Sequence, residues 1–252
     1  MNKQQLYLWL VFWPVQILAL LGIFLTSPNW LYLFLGWITF CGLGSAVILH
    51  RYVSHRAFKL KSWLRKPLLF LSTLCIQGSP LWWSAVHRGM HHPNADKEED
   101  PHSPKDGLFH AYIGWIHSKK VTEVKSDRIR DIIKDRFHIW LYRYNNHIIW
   151  STFILGCLIN FEFTLWFWII PAAWSYHQES LVNVFCHSGK IGYKSYDTND
   201  KSVNIPLLAL LTWGQALHNN HHYDYGSYNF AKKKNEFDPC TLFLPFIEEK
   251  VR

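Results

Sequence analysis

Fifteen histidines stand in this 252-residue chain, and nine of them fall into short, repeated spacings. His50 and His55 bracket HRYVSH, His87, His91 and His92 lie in HRGMHH, and His218, His221 and His222 lie in HNNHH. His187 follows Asn183 by four positions. Imidazole nitrogen is a ligand for zinc, copper, iron and nickel alike. On an α-helix, residues three or four apart share a face. His87 with His91, His218 with His221 or His222, and Asn183 with His187 can therefore each aim at a common point. An adjacent histidine pair points in two directions, as one segment must if it serves two ions. Nine imidazoles and one amide exceed what a single ion takes and suit a pair. His102, His110, His117, His138, His147 and His177 lack such spacings and read as surface or hydrogen-bonded residues.

The elements that position these clusters follow from hydropathy. Residues 6–25 and 30–49 are two uncharged apolar 20-mers, each roughly 30 Å long as a helix, the thickness of a hydrocarbon core. Thr26, Ser27, Pro28 and Asn29 between them leave room only for a turn. The first segment does not read as a signal peptide: MNKQQ is a weak n-region, the apolar run is too long, and no small-residue cleavage site follows. Residues 50–146 are polar and carry 17 of the 26 Lys and Arg, interrupted by an apolar stretch at 67–83. Residues 148–176 are apolar except at Asn160-Phe161-Glu162. Clusters that share one metal centre must lie on one side of a membrane. An even number of spans then separates His92 from His187, and 139–186 is a hairpin turning at Asn160–Glu162. By the same constraint neither 67–83 nor 205–217 crosses.

The expected architecture is an all-α integral membrane protein of one domain, residues 1–252. Four transmembrane helices form two hairpins, about 6–49 and about 139–186, beneath a cytosolic helical cap of about 50–138 and 187–252. Lys3, the central basic loop and the eight cations from Lys190 onward fall on one side, and neither outer turn carries Lys or Arg. That positive-inside pattern places both termini and the histidines in the cytoplasm.

Composition removes other classes. At 49% hydrophobic and 17% aromatic residues the chain has ample surface to bury, which excludes disorder. Five scattered cysteines with no C-x-x-C argue against a disulfide framework and for a reducing compartment. The net charge of +8 suits an anionic partner, but no nucleic-acid-binding module is present and anionic lipid accounts for the charge. Arg51, Arg56, Lys59, Lys61, Arg65 and Lys66 read mainly as a solvated face near lipid, with a possible role in attracting an acyl headgroup. Lys232, Lys233 and Lys234 form a charge run that could meet an acidic electron donor. H-E-x-x-H is absent, against a zinc metalloprotease. A divalent-metal transporter would place ionisable ligands within its spans, and the first hairpin has none in its middle. A dinuclear iron centre facing the cytosol, able to activate O2 against a substrate held in the bilayer, accounts for more.

HRYVSH, WWSAVHRGMHHPNADKEEDPHSP, NVFCH and GQALHNNHH resemble the histidine boxes of the integral-membrane fatty acid desaturases, in order from about His50 to Asp238. They are most similar to the acyl-CoA/stearoyl Δ9-type branch in its short bacterial and cyanobacterial form. DGLFHAYIGW and GYKSYDTNDKS also resemble family connectors. The resemblance implies two irons held by His50, His55, His87, His91, His92, His187, His218, His221 and His222, with Asn183 acting through water. It implies no separate acid or base, O2 as co-substrate, and a cis double bond placed in a saturated acyl chain lying in a kinked apolar tunnel. Only 30 residues follow His222, so electrons are expected from a separate protein such as ferredoxin or cytochrome b5. Two departures stand out: three residues separate His87 from His91 where close animal relatives have two, and Gln215 stands where many relatives carry Glu. The alternatives are a histidine-box hydroxylase or ketolase of another lipid and, more remotely, the metal transporter.

Overall fold

The computed structural model describes residues 3–122 and 127–249. Among them the chain is helical, with no strand and only isolated bridges such as Tyr193 with Asn204. Helix α1 (Lys3–Leu25) and helix α2 (Trp30–Ser54) are the two helices long and apolar enough to cross a membrane. Asn29 starts α2 by accepting from the Tyr32 N–H at 3.1 Å, as an N-cap should. α2 overruns the apolar 20-mer and carries HRYVS as its last turn.

Ser62–Thr73 (α3) follows, and then residues 80–94 (α4), which begin at Pro80 behind the Ser79 cap. Between them the 72–80 stretch is buried throughout. Its backbone is tied to the long helices: Cys75 Sγ donates to Phe40 O (3.3 Å), and Leu74 O accepts from Trp168 Nε1 (2.8 Å). The 72–80 stretch is thus packed among the helices.

Arg136–Phe163 (α5) is capped by Asp135, whose carboxylate accepts from the Phe137 N–H at 2.8 Å. Helical geometry fails at Asn160 (φ −160°, ψ 106°), whose side chain then accepts from Phe163 N–H at 2.8 Å and opens the next helix, 164–186 (α6). α5 and α6 lie side by side: a Cβ on Gly156 would stand 2.6 Å from Thr164 Oγ1. The chain therefore turns at Asn160–Glu162. Asn29 Nδ2 donates to Glu162 Oε1 at 2.8 Å, which puts the two outer turns beside each other. Trp166 Nε1 reaches Thr26 Oγ1 at the same end (3.1 Å).

The hairpins pack by close backbone approach. A Cβ on Gly36 of α2 would run into the Phe167 carbonyl oxygen and stand 2.6 Å from Pro171 Cγ of α6. Neither obstacle is a flexible side-chain end. Gly36→Val is expected to lower the melting temperature of the solubilised protein by about 5 °C or more, measured by thermal unfolding in detergent; an unchanged melting temperature would count against this packing.

The last elements are Pro206–Leu211 (α7) and His218–Tyr223 (α8). After α7 the chain doubles back through Trp213 and Gly214, both at positive φ, so that Ile205 N–H meets Ala216 O at 2.8 Å. That turn keeps 205–217 from extending and delivers α8 to the ends of α2, α4 and α6.

Candidate metal centre

Nine imidazoles from four parts of the chain meet at one end of these helices, in two groups. His50, His55, His87, His92 and His221 form the first, and His91, His187, His218 and His222 form the second; within each group the ligand nitrogens lie within 4.8 Å of one another. In the first group Nε2 atoms pair in a chain. His50 to His221 is 3.0 Å, His221 to His92 3.0 Å, His92 to His87 3.0 Å and His87 to His55 2.9 Å. In the second, His187 to His218 is 2.9 Å, His218 to His222 3.1 Å and His222 to His91 3.3 Å.

Helix winding explains who joins whom. Residues 37–54 and 87–91 are wound with i→i+5 hydrogen bonds, seen where the His92 N–H reaches His87 O. A wider turn than the α-helix's roughly 3.6 residues brings positions five apart towards one face. His87 is therefore grouped with His92, and His50 with His55. The α-helical spacing had paired His87 with His91; the structure instead turns His91 to the other group. On α8 His218 and His222, four apart, share the second group while His221 faces the first. The adjacent pairs His91-His92 and His221-His222 are each divided between the two.

The far nitrogens fix the protons. His91 Nδ1 lies 3.0 Å from Asp100 Oδ1, His187 Nδ1 3.0 Å from Asp96 Oδ2, His222 Nδ1 2.9 Å from Asp200 Oδ2, and His218 Nδ1 3.0 Å from Gln215 O. All four partners are acceptors, so each Nδ1 carries hydrogen and each Nε2 presents a bare lone pair to the others. Four lone pairs held about 3 Å apart repel one another unless a cation lies between them. Nitrogens at roughly 2.1 Å from an ion and a right angle apart are separated by about 3 Å. The donor set therefore fits a metal in each group. Burial first, and then the neighbouring imidazoles, hold His87, His91, His92, His218 and His221 well below the ordinary histidine value, which keeps them neutral. Burial pushes Asp200 up, but hydrogen bonds from His222 and Ser202 outweigh it and hold the carboxyl well below its usual range.

Asp96, Asp100 and Asp200 were not singled out from sequence. They lie inside the quoted box and connector segments, but nothing in a single carboxylate's spacing says which imidazole it meets. Asn183 is half-buried and faces a cavity with His91 and His218. Among the unassigned histidines, His102 lies tilted against His91 (ring centres 4.3 Å), with its Nδ1 3.8 Å from Asp100 Oδ1. His177 bridges Tyr112 Oη and Gln16 Oε1, His110 meets Pro101 O, and His117 stacks on Trp13.

That cavity is partly open, and its free space is small, about 60 Å³. Tyr7, Leu8 and Phe12 of α1, Trp82 and Val86 of α4 and Tyr176 of α6 make its apolar wall, and His50, His87, His91 and His218 stand at one side of it. The apolar wall therefore faces members of both histidine groups.

Of the basic residues expected on a solvated face, Arg56, Lys59 and Lys66 are exposed and Arg51 is the departure. Arg51 is wholly buried and paired with Asp238 at 2.9 Å, so it is removed from any surface that meets a headgroup; its charge needs an internal partner because α2 carries it into the core. Arg56 and Arg65 line a cleft with Asp131 and Asp135 and pair with them. Lys232 pairs with Asp224 (3.1 Å), and Lys233 lies over the Tyr193 ring.

A family model described as fatty acid desaturase matches residues 28–226. The chain is similar to the Delta-9 acyl-lipid desaturase 2 of Arabidopsis thaliana, 36% identical over 213 residues, which cover 82% of this chain and 68% of the relative. The sn-1 stearoyl-lipid 9-desaturase of Anabaena variabilis is 37% identical over 196 residues (75% and 69%). The protein of the same description from Synechocystis sp. is 31% identical over 225 residues (86% and 69%).

Proposed function

This chain belongs to the fatty acid desaturase family, an oxidoreductase family, and from that premise we propose that it places a cis double bond, at the Δ9 position, in a saturated fatty acyl chain. The observation that carries the proposal is the meeting of two histidine groups beside one apolar-walled cavity. His50, His55, His87, His92 and His221 would hold one iron, and His91, His187, His218 and His222 the other, with Asn183 acting through water. A diiron pair supplies the O2-dependent oxidation that an unactivated methylene requires. This chain's residues do the rest. The methylenes of an acyl chain offer no polar handle, so the cavity wall must set which carbons face the histidines. Trp82, Tyr7 and Phe12 also keep bulk water from the site. Two electrons come from a separate donor protein, ferredoxin or cytochrome b5.

The proposed setting is the bilayer, with α5 and α6 as third and fourth spans and the histidines and both termini cytoplasmic. Support comes from the paired outer turns and from lipid-type side chains that face outward on both hairpins: Phe24 is 77% exposed and Leu158 80%. The positive charge at the opposite end agrees.

Expression in a host that lacks the corresponding unsaturated product tests the activity. A new monounsaturated fatty acid in the membrane lipids, with about two iron atoms per purified chain, is the expected result. A hydroxylated product alone would replace the desaturase by a hydroxylase, and zinc alone with metal flux would replace it by a transporter.

A further inference from the structure

The wall of the cavity carries a chain of polar groups whose donors and acceptors are ordered from one end to the other. Trp83 Nε1, a donor only, points at Gln77 Oε1 (2.9 Å), which turns the Gln77 amide nitrogen towards Ser45 Oγ and Ser175 Oγ, both at 2.9 Å. Ser45, having accepted from Gln77, spends its own hydrogen on Glu179 Oε1 at 2.9 Å. Glu179 in turn accepts from Gln215 Nε2, at 2.8 Å and 3.0 Å to its two oxygens. At the other end of that amide, Arg51 Nη1, again a donor only, stands 3.3 Å from Gln215 Oε1. Two independent neighbours therefore orient the Gln215 amide the same way. Its oxygen faces His50 Nδ1 in a close hydrogen bond, so Nδ1 must be the donor. The bare Nε2 of His50 is then left facing His221 Nε2.

We propose that Glu179 is a positioning residue for the first histidine group: through Gln215 it fixes the tautomer and the ring orientation of His50. The carboxylate that orients this ligand lies one side chain further away than a direct His–carboxylate contact would place it, handed from helix α6 through an amide. It is hydrogen-bonded to none of the histidines and acts on His50 through Gln215, so it positions a ligand without being one. Gln215 alone would not suffice, because an amide can present either end to an imidazole; a nitrogen facing His50 would put the hydrogen on Nε2 and close that lone pair to a metal.

The inference rests on the metal-binding reading of the histidines, and its test separates the two. Full-length protein in detergent is compared as wild type, Glu179→Leu, and the double exchange Glu179→Gln with Gln215→Glu, which returns a carboxylate to the position beside His50 and Arg51. The readouts are iron retained per chain against a competing chelator, the Mössbauer spectrum of the iron that remains, and the melting temperature of the metal-free protein. Glu179→Leu is expected to weaken iron retention about tenfold and to alter the spectrum of one of the two irons. The double exchange is expected to recover most of that loss. Glu179→Leu retaining iron with an unchanged spectrum would overturn the assignment. So would a double exchange that melts like wild type without metal yet fails to recover iron, and that arm decides the matter even if the leucine variant does not fold. Wild-type protein that takes up no iron would instead overturn the function proposed above.

Discussion

His221→Ala is expected to lower desaturation at least about a hundredfold and to reduce the iron content, with the protein still present in the membrane fraction. The reason is its place in the first group: its Nε2 stands 3.0 Å from both His50 Nε2 and His92 Nε2, joining the α2 contribution to that of α4. Losing it breaks the chain of nitrogens between His50 and His92. The fold should survive. α8 is anchored by its asparagines, with Asn219 Oδ1 accepting the Ser195 and Tyr196 N–H groups and Asn220 Nδ2 donating to Phe230 O (2.8 Å). His91→Ala should act likewise on the second group, where it also releases Asp100. His147→Ala, at an exposed position on α5 outside both groups, provides the control and should keep full activity and iron. Fatty acid profiles, iron per chain and membrane yield measure all three; full activity of His221→Ala would remove that residue from the proposed ligand set.

Much of this arrangement was legible in residue order. Two apolar 20-mers separated by four turn residues announce a hairpin because length and hydropathy leave little alternative. The interruption at Asn160-Phe161-Glu162 looked ambiguous in itself, and only the need to bring His187 to the same side as His92 made it a turn. The structure turns there because the Asn160 side chain caps the following helix. The histidine boxes stand out for the same reason that they can bind metal, which is that unusual residues recur at short spacing.

What spacing could not give is the partition. Predicting that His87 accompanies His92 requires knowing that the helix there is wound with i→i+5 bonds, a choice made by tertiary packing and not by any local propensity. The same holds for Arg51. A basic residue two positions past an apolar run reads as surface, yet α2 continues beyond that run and turns it inward. Asp96, Asp100, Asp200 and Glu179 were equally hidden. A carboxylate that orients a ligand is an ordinary acidic residue in one dimension, and its role exists only once a distant imidazole faces it. The physical division is plain: covalent neighbours and periodicity encode the elements, whereas ligand orientation arises from contacts between residues far apart in the chain, 165 positions for His50 and Gln215 and 91 for His187 and Asp96.

Removing Asp238 is expected to destabilise the protein by about 3–5 kcal/mol, because it leaves the Arg51 guanidinium buried without its counter-ion. Both side chains are fully buried, and Arg51 spends its donors on Tyr228 O (2.9 Å), Ala46 O (2.8 Å), Gln215 Oε1 (3.3 Å) and Asp238 Oδ2 (2.9 Å), with its plane 3.8 Å from the centre of the Phe230 ring. Asp238 also accepts from the Phe230 and Cys240 N–H groups at 2.9 Å and 3.0 Å, so Asp238→Ala orphans backbone donors as well as a charge. The space around the pair is already full: Gly214, at φ +79°, has no room for a Cβ against the Asp238 carboxylate. For a chain of this size the loss corresponds to a fall of about 10 °C in melting temperature. Replacing both partners, Arg51→Met with Asp238→Leu, removes the stranded charge and should recover a substantial part of it. Thermal unfolding of the solubilised variants measures each value. Since Arg51 also holds the Gln215 oxygen, the double variant separates two roles: it should regain stability while still binding iron less firmly than wild type. A double variant as unstable as Asp238→Ala alone would show that the cost lies in packing and not in the unpaired guanidinium.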